Sequence, residues 1–138
     1  MKKYNIVMVY NKEETKILMC YRKRDPFKDK YNFVGGKLYE GENELVGAYR
    51  ELEEETGITN NDIVLNHLMN FDYIYSNMQL QVFIGKLNKE VELIEEDNKL
   101  YWIDINENFF DSNKYAGNGN LGHILLQAKV KLEEEVTS

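Results

Sequence analysis

Hydrophobic and polar positions alternate with a period of two over much of the chain, and with a helical period over two stretches. Residues 4–10 (YNIVMVY) and 16–22 (KILMCYR) are rich in β-branched and aromatic residues and predict two strands, paired as a hairpin across the polar turn 11–15. Alternation in the second puts Ile17, Met19 and Tyr21 on one face, and Leu18, Cys20 and Arg22 on the other. Further strands are predicted over 63–66, 70–76, 78–87 and 100–105; in 78–87, Leu80, Val82 and Ile84 oppose Gln79, Gln81 and Phe83. Helical spacing appears at Leu45, Ala48, Tyr49 and Leu52, and again at Ile124, Leu125, Ala128 and Leu132 within 121–135. Asn43 suits the N-cap of the first helix and Gly57 the left-handed residue that stops it. Residues 133–138 predict a frayed tail. Strands and helices interleaved by polar turns suit a mixed sheet covered by helices, in one domain over 1–138.

The first helix carries an anomaly. Glu51, Glu54 and Glu55 are spaced i, i+3, i+4, so three carboxylates crowd one face beside the apolar stripe. Each like-charge pair at such spacing costs about 0.2–0.5 kcal/mol on an exposed helix. Arg50 can reach Glu54 at i+4, but one guanidinium cannot neutralise three carboxylates. A hard divalent cation, Mg²⁺ or Mn²⁺, can. Without further context, a solvated acidic face is the simpler explanation of the run.

Composition narrows the classes. The 138 residues are 43% hydrophobic and 30% charged, ordinary for a globular protein. No apolar run approaches the length of a membrane span, and no signal-type segment opens the chain, so no membrane association is expected. The single cysteine, Cys20, rules out an internal disulfide and fits a reducing cytoplasm, which is the expected location. A net charge of −7 argues against stable nucleic-acid binding. It does not argue against a small phosphorylated substrate reached through metal ions. Residues 40–55 hold seven acids and one base, whereas 22–30 hold five bases and two acids, and a basic loop beside an acidic helix suits a metal–phosphate site.

Residues 36–58, GKLYEGENELVGAYRELEEETGI, resemble the Nudix box: Gly36, Glu42, then Arg50-Glu51-Leu52, Glu54-Glu55 and Gly57-Ile58 fill all nine defined positions in 23 residues. The resemblance implies an α/β/α sandwich with a central mixed sheet. It also implies a metal-dependent hydrolase that splits a nucleoside diphosphate linked to another moiety. By resemblance, Glu51, Glu54, Glu55 and the carbonyl of Gly35 hold Mg²⁺ (or Mn²⁺), and Arg50 orients the glutamates. A further carboxylate, metal ligand or base, is expected near Glu96, with Glu95 and Asp97 as competitors. Glu54, Glu55 or Glu96 would take the proton of the attacking water.

The sequence Tyr31-Asn32-Phe33-Val34-Gly35-Gly36-Lys37 is similar to the Nudix subgroup that hydrolyses oxidised purine nucleoside triphosphates such as 8-oxo-dGTP. There the asparagine reads the purine edge, which assigns Asn32 to the base; an amide offers both donor and acceptor. Arg22 and Lys23 would meet the substrate phosphates, with Gly35, Gly36 and Lys37 lining the approach. Tyr115 would supply an aromatic surface, and Asn118 stands, with Gly117, where that subgroup carries acids. This departure leaves other substrates open: ADP-ribose, a dinucleoside polyphosphate or capped RNA. A silent nucleotide-binding module is the remaining reading, and the intact glutamate set disfavours it. The expected partner is a small nucleotide, and the expected assembly a monomer or homodimer.

Overall fold

One six-stranded sheet lies between two helices. The structure is a computed structural model describing residues 1–117 and 119–137, the side chains of 135–137 excepted. Its elements are β1 (Lys2–Tyr10), β2 (Lys16–Tyr21), β3 (Tyr31–Phe33), α1 (Glu44–Thr56), β4 (Asn66–Tyr73), β5 (Met78–Lys86), β6 (Lys99–Asp104) and α2 (Asn120–Thr137). The sheet runs β3-β2-β1-β5-β4, with β6 on the other edge of β2.

The pleat explains the three layers. Val7 and Val9 of β1, Leu18 and Cys20 of β2 and Phe83 of β5 face α1, packing with Ala48, Leu52, Ile58 and Ile63. Their neighbours Met8, Ile17, Met19 and Val82 face α2, packing with Leu121, Ile124, Ala128 and Tyr115. Both faces of the central strands are therefore buried, which is why those strands read as nearly continuous apolar runs.

The sheet departs from a simple hairpin. β1 meets β2 only at Tyr10 and Ile17, and instead pairs in parallel with all of β5, from Lys2–Met78 to Tyr10–Lys86. The chain leaving β3 forces β1 and β2 apart: residues 34–37 run antiparallel to β1, with Val7 N–H donating to Val34 O (2.9 Å) and Asn5 N–H to Gly36 O (2.8 Å). The sequence carries no local signal for this wedge, which depends on contacts made across the chain.

α1 is capped as expected. Asn43 Oδ1 accepts from Val46 N–H (3.1 Å), and Gly57, at φ 79°, donates to Glu53 O (2.9 Å). Its buried face is Gly47, Ala48, Leu52 and Thr56, while Leu45, expected in the apolar stripe, is exposed. Gly47 takes the inner position because a Cβ there would strike Leu38 at 2.5 Å. The two strands predicted over 63–66 and 70–76 are instead one strand, β4, with an irregularity between His67 and Met69; Ile63 makes only an isolated bridge to Leu87. The helix α2 continues to Thr137, so residues 133–137 are helical where a frayed tail is expected from sequence.

Candidate active site

Arg50 organises the acidic face. Its Nε donates to Glu42 Oε2 (2.7 Å) and Nη2 to Glu42 Oε1 (3.1 Å), a two-point pairing that fixes the guanidinium plane. Nη2 also donates to Lys37 O (3.1 Å), and Nη1 to Glu51 Oε1 (2.9 Å) and Glu54 Oε2 (3.1 Å). The Tyr39 ring covers the guanidinium carbon at 3.8 Å. Arg50 thus spans the turn, the strand exit and two turns of helix. Glu42 is held below the usual carboxylate range, above all by its hydrogen bond from Arg50.

Gly35 and Gly36 bring the main chain against this face. Gly35 N–H donates to Glu55 Oε2 (2.9 Å), and Gly36 N–H to Asn5 Oδ1 (2.9 Å). At Gly35, φ is 140° and a Cβ would lie 2.2 Å from the Asn5 carbonyl oxygen, so only glycine fits. At Gly36 a Cβ would lie 2.4 Å from Glu51 Oε2. The carbonyls of Val34 and Gly36 are engaged by β1, and that of Gly35 lies between them.

Two hollows meet here. A cleft of about 230 Å³ is lined by Glu51, Glu54, Glu55, Glu96 and Asp97. A larger cavity of about 710 Å³ extends from Gly35, Gly36 and Lys37 past Asn32 to the start of α2. Cys20, Arg22 and Glu55 border both. Burial pushes the Glu55 carboxyl up to about 7, with Glu51 adding to the rise and the Gly35 N–H and Arg22 opposing it. Burial also raises Glu51, and it pushes the Cys20 thiol up to about 12, so the cysteine borders the site as an un-ionised apolar group.

The carboxylates supply the donor type that a hard divalent ion takes, on adjoining turns beside the glycine pair, with Glu51 and Glu55 half-buried and Glu54 exposed. In this arrangement Arg50 holds one oxygen each of Glu51 and Glu54, and the Gly35 amide holds one of Glu55. No three His, Cys, Asp or Glu side chains among the described residues are gathered tightly enough to chelate an ion. Among the acids near residue 96, Glu95 accepts from Leu100 N–H (2.7 Å) and Asp97 pairs with Arg24 (2.6 Å) and Lys23 (3.2 Å). Glu96 lines the cleft without such a partner.

Other expected residues fall elsewhere. Lys23 lines neither hollow, and its ammonium pairs with Asp97 at the rim of the cleft (3.2 Å). Tyr115 is 1% exposed, packed on Phe109 and Tyr31 with its hydroxyl on Glu107 (3.0 Å); it is core, not a surface for a base. Phe27 is the exposed aromatic that borders the cavity. Asn32 borders it too, its Oδ1 accepting from Phe33 N–H (2.8 Å). Asn118 lies outside the described residues. Asn5, Tyr39 and the anchoring role of Glu42 join the site without having been expected from sequence. Of these, Asn5 carries a sequence signal, a lone amide inside an apolar strand.

The fold is thus a mixed sheet between helices, with an acidic helix face set against a glycine strap and an adjoining cavity. The profile of the NUDIX domain matches residues 1–123, and the chain belongs to the Nudix family. Nudix hydrolases cleave pyrophosphate bonds of nucleoside diphosphate derivatives and use divalent metals. No curated protein matches it in sequence.

Solved structures share the fold. A C. elegans Ap4A hydrolase binary complex aligns with TM-score 0.72 and 20% identity over 95% of this chain and 98% of that one. A MutT/nudix family protein from Enterococcus faecalis aligns at 0.63 and 23%, over 75% of this chain but 43% of that one. A bifunctional NMN adenylyltransferase/ADP ribose pyrophosphatase from Francisella tularensis, complexed with AMP and a Mn ion, aligns at 0.70 and 22%, over 91% of this chain and 41% of that one. The chain thus spans less than half the length of the last two relatives.

Proposed function

We propose that the chain is a Mg²⁺-dependent pyrophosphohydrolase of a purine nucleoside triphosphate, 8-oxo-dGTP being the modified purine to test first. The observation that carries this reading is the junction of the two hollows at Arg22 and Glu55. It sets a phosphate-sized acidic cleft against a cavity of the size that takes a small ligand. The cavity would hold the nucleoside with Asn32 at its edge, and the phosphates would extend past Arg22 and Gly35–Gly36 toward the glutamates.

Each residue has a task in this reading. Glu51, Glu54, Glu55, Glu96 and the Gly35 carbonyl would hold the metal, which when bound polarises phosphoryl oxygens and acidifies water. Arg50 orients Glu51 and Glu54 through its fixed plane. Arg22 offsets phosphate charge. Water attacks a phosphorus, the bridging P–O bond breaks with pyrophosphate leaving, and one of Glu54, Glu55 and Glu96 accepts the water's proton. The products are a nucleoside monophosphate and pyrophosphate.

A second reading, hydrolysis of ADP-ribose or a dinucleoside polyphosphate, is favoured by the lack of an acid at Gly117, which borders the cavity. The test is pyrophosphate and phosphate release, with and without Mg²⁺, over 8-oxo-dGTP, dGTP, ADP-ribose and diadenosine polyphosphates. Metal-dependent pyrophosphate release from a purine triphosphate is the expected result. Cleavage confined to ADP-ribose or the dinucleotides would overturn the substrate class.

A further inference from the structure

Four polar side chains cross the sheet on the face beneath α1. In-register pairing sets Asn5 of β1 beside Gln81 of β5, and Asp72 of β4 beside Gln79 of β5. Asn5 is 3% exposed and Gln81 fully buried, among residues that are otherwise apolar core. Their hydrogen bonds run in one direction. Gly36 N–H donates to Asn5 Oδ1, Gln81 Nε2 to Gln79 Oε1, and Gln79 Nε2 to Asp72 Oδ1, each at 2.9 Å.

Both ends dictate that polarity. A backbone N–H can only donate, so Asn5 must turn its oxygen to Gly36 and its NH₂ the other way. An ionised carboxylate can only accept, so Gln79 must turn its NH₂ to Asp72 and its oxygen to Gln81. Gln81 is then left presenting its oxygen. Two buried side-chain atoms among the described residues have no partner: Asn5 Nδ2, a donor, and Gln81 Oε1, an acceptor. They sit on neighbouring in-register residues and have the polarity of the one link the series lacks. Buried amide groups are nearly always bonded.

We propose that Asn5 and Gln81 are positioning residues, joined by a bond from Asn5 Nδ2 to Gln81 Oε1. The resulting series from Gly36 to Asp72 fixes the Gly35–Gly36 strap at the height where it meets Glu51 and Glu55. An apolar residue at 81 leaves the Asn5 amide free to rotate and the Gly36 N–H unheld. The catalytic consequence rests on the hydrolase reading above; the structural one does not.

The test uses Gln81→Leu and reads two quantities. In metal-free protein, hydrogen exchange of the Gly36 amide should accelerate about tenfold while the Val9 and Ile17 amides stay as protected as in the parent. With the substrate that the release screen identifies, kcat should fall about tenfold at nearly constant KM. Asn5→Ala should lower kcat similarly, and the double variant should be no slower than Asn5→Ala alone. Unchanged Gly36 exchange in a folded Gln81→Leu protein, or multiplicative losses in the double variant, would overturn the proposal. If Gln81→Leu does not fold, Gln79→Met breaks the series one link out at a half-buried position, and an unaltered Gly36 amide there is equally fatal. The exchange measurement needs no substrate, so it separates this proposal from failure of the assigned activity.

Discussion

Replacing Gly36 by alanine tests how closely the strap is fitted to the glutamates. Its φ is not positive, so the backbone accepts alanine; the conflict is with one side chain. The new methyl would lie 2.4 Å from Glu51 Oε2, where ordinary contact begins at 3.4 Å, so the carboxylate must retreat by about 1 Å. Retreat breaks the 2.9 Å bond from Arg50 Nη1. A misplacement of about 1 Å at a reacting centre can cost on the order of 10²-fold in rate. Stability changes less. Restricting the unfolded chain gains about 0.4–1 kcal/mol, and losing one charge-assisted bond costs about 1.5–3 kcal/mol. The net loss of about 1–2 kcal/mol lowers Tm by several degrees. Steady-state hydrolysis and a thermal melt should therefore show a kcat reduced about 100-fold in a protein that still melts cooperatively. A kcat within threefold of the parent would show that Glu51 does not need the position described, and the fitted-strap argument fails. Gly35→Ala is the contrast: its methyl meets backbone at 2.2 Å, and it should compromise the fold itself.

Other expectations follow from the same geometry. Glu54→Gln should leave the melting curve intact and lower turnover by about 10²-fold or more, as expected for a lost base or ligand; near-normal Mg²⁺-dependent activity would contradict its role. Glu42 ionises more readily folded than unfolded because of Arg50, so its contribution is complete above pH 4.5 and fades as pH falls through its lower folded value. Glu42→Gln should thus melt below the parent at pH 7 and converge with it in strong acid; a gap that does not depend on pH would refute this. Tyr115→Phe removes the bond to Glu107 at 3.0 Å and should cost about 1 kcal/mol, read as a lower Tm, with kcat unchanged.

Much of this arrangement is legible in the chain because it is local. The caps Asn43 and Gly57, the spacing of Glu51, Glu54 and Glu55, and the alternation of Leu18 and Cys20 against Ile17 and Met19 follow from residues within one or two turns of each other. What escapes is set by distant partners. Nothing near Tyr4 announces a parallel neighbour at Leu80, and nothing near Val34 announces that it displaces β2 from β1. Tyr115 differs from expectation for a related reason: a tyrosine before a glycine-rich loop looks available, yet Phe109, Tyr31 and Glu107 enclose it. The acidic face of α1 is more legible than its inner stripe, since Gly47 lies inward where Leu38 crosses it.

The nine-residue parallel ladder between β1 and β5 has a consequence for assembly. Its two strands are separated by most of the catalytic segment, so a long loop must close before either is secured. The glutamates belong to a helix that forms from its own neighbours, but the surface they press against is held by a strand whose mate emerges from the ribosome much later. A nascent chain that ends before residue 78 would carry all the helix glutamates of the centre, though not Glu96, and still lack the ladder that holds β1 in place against them.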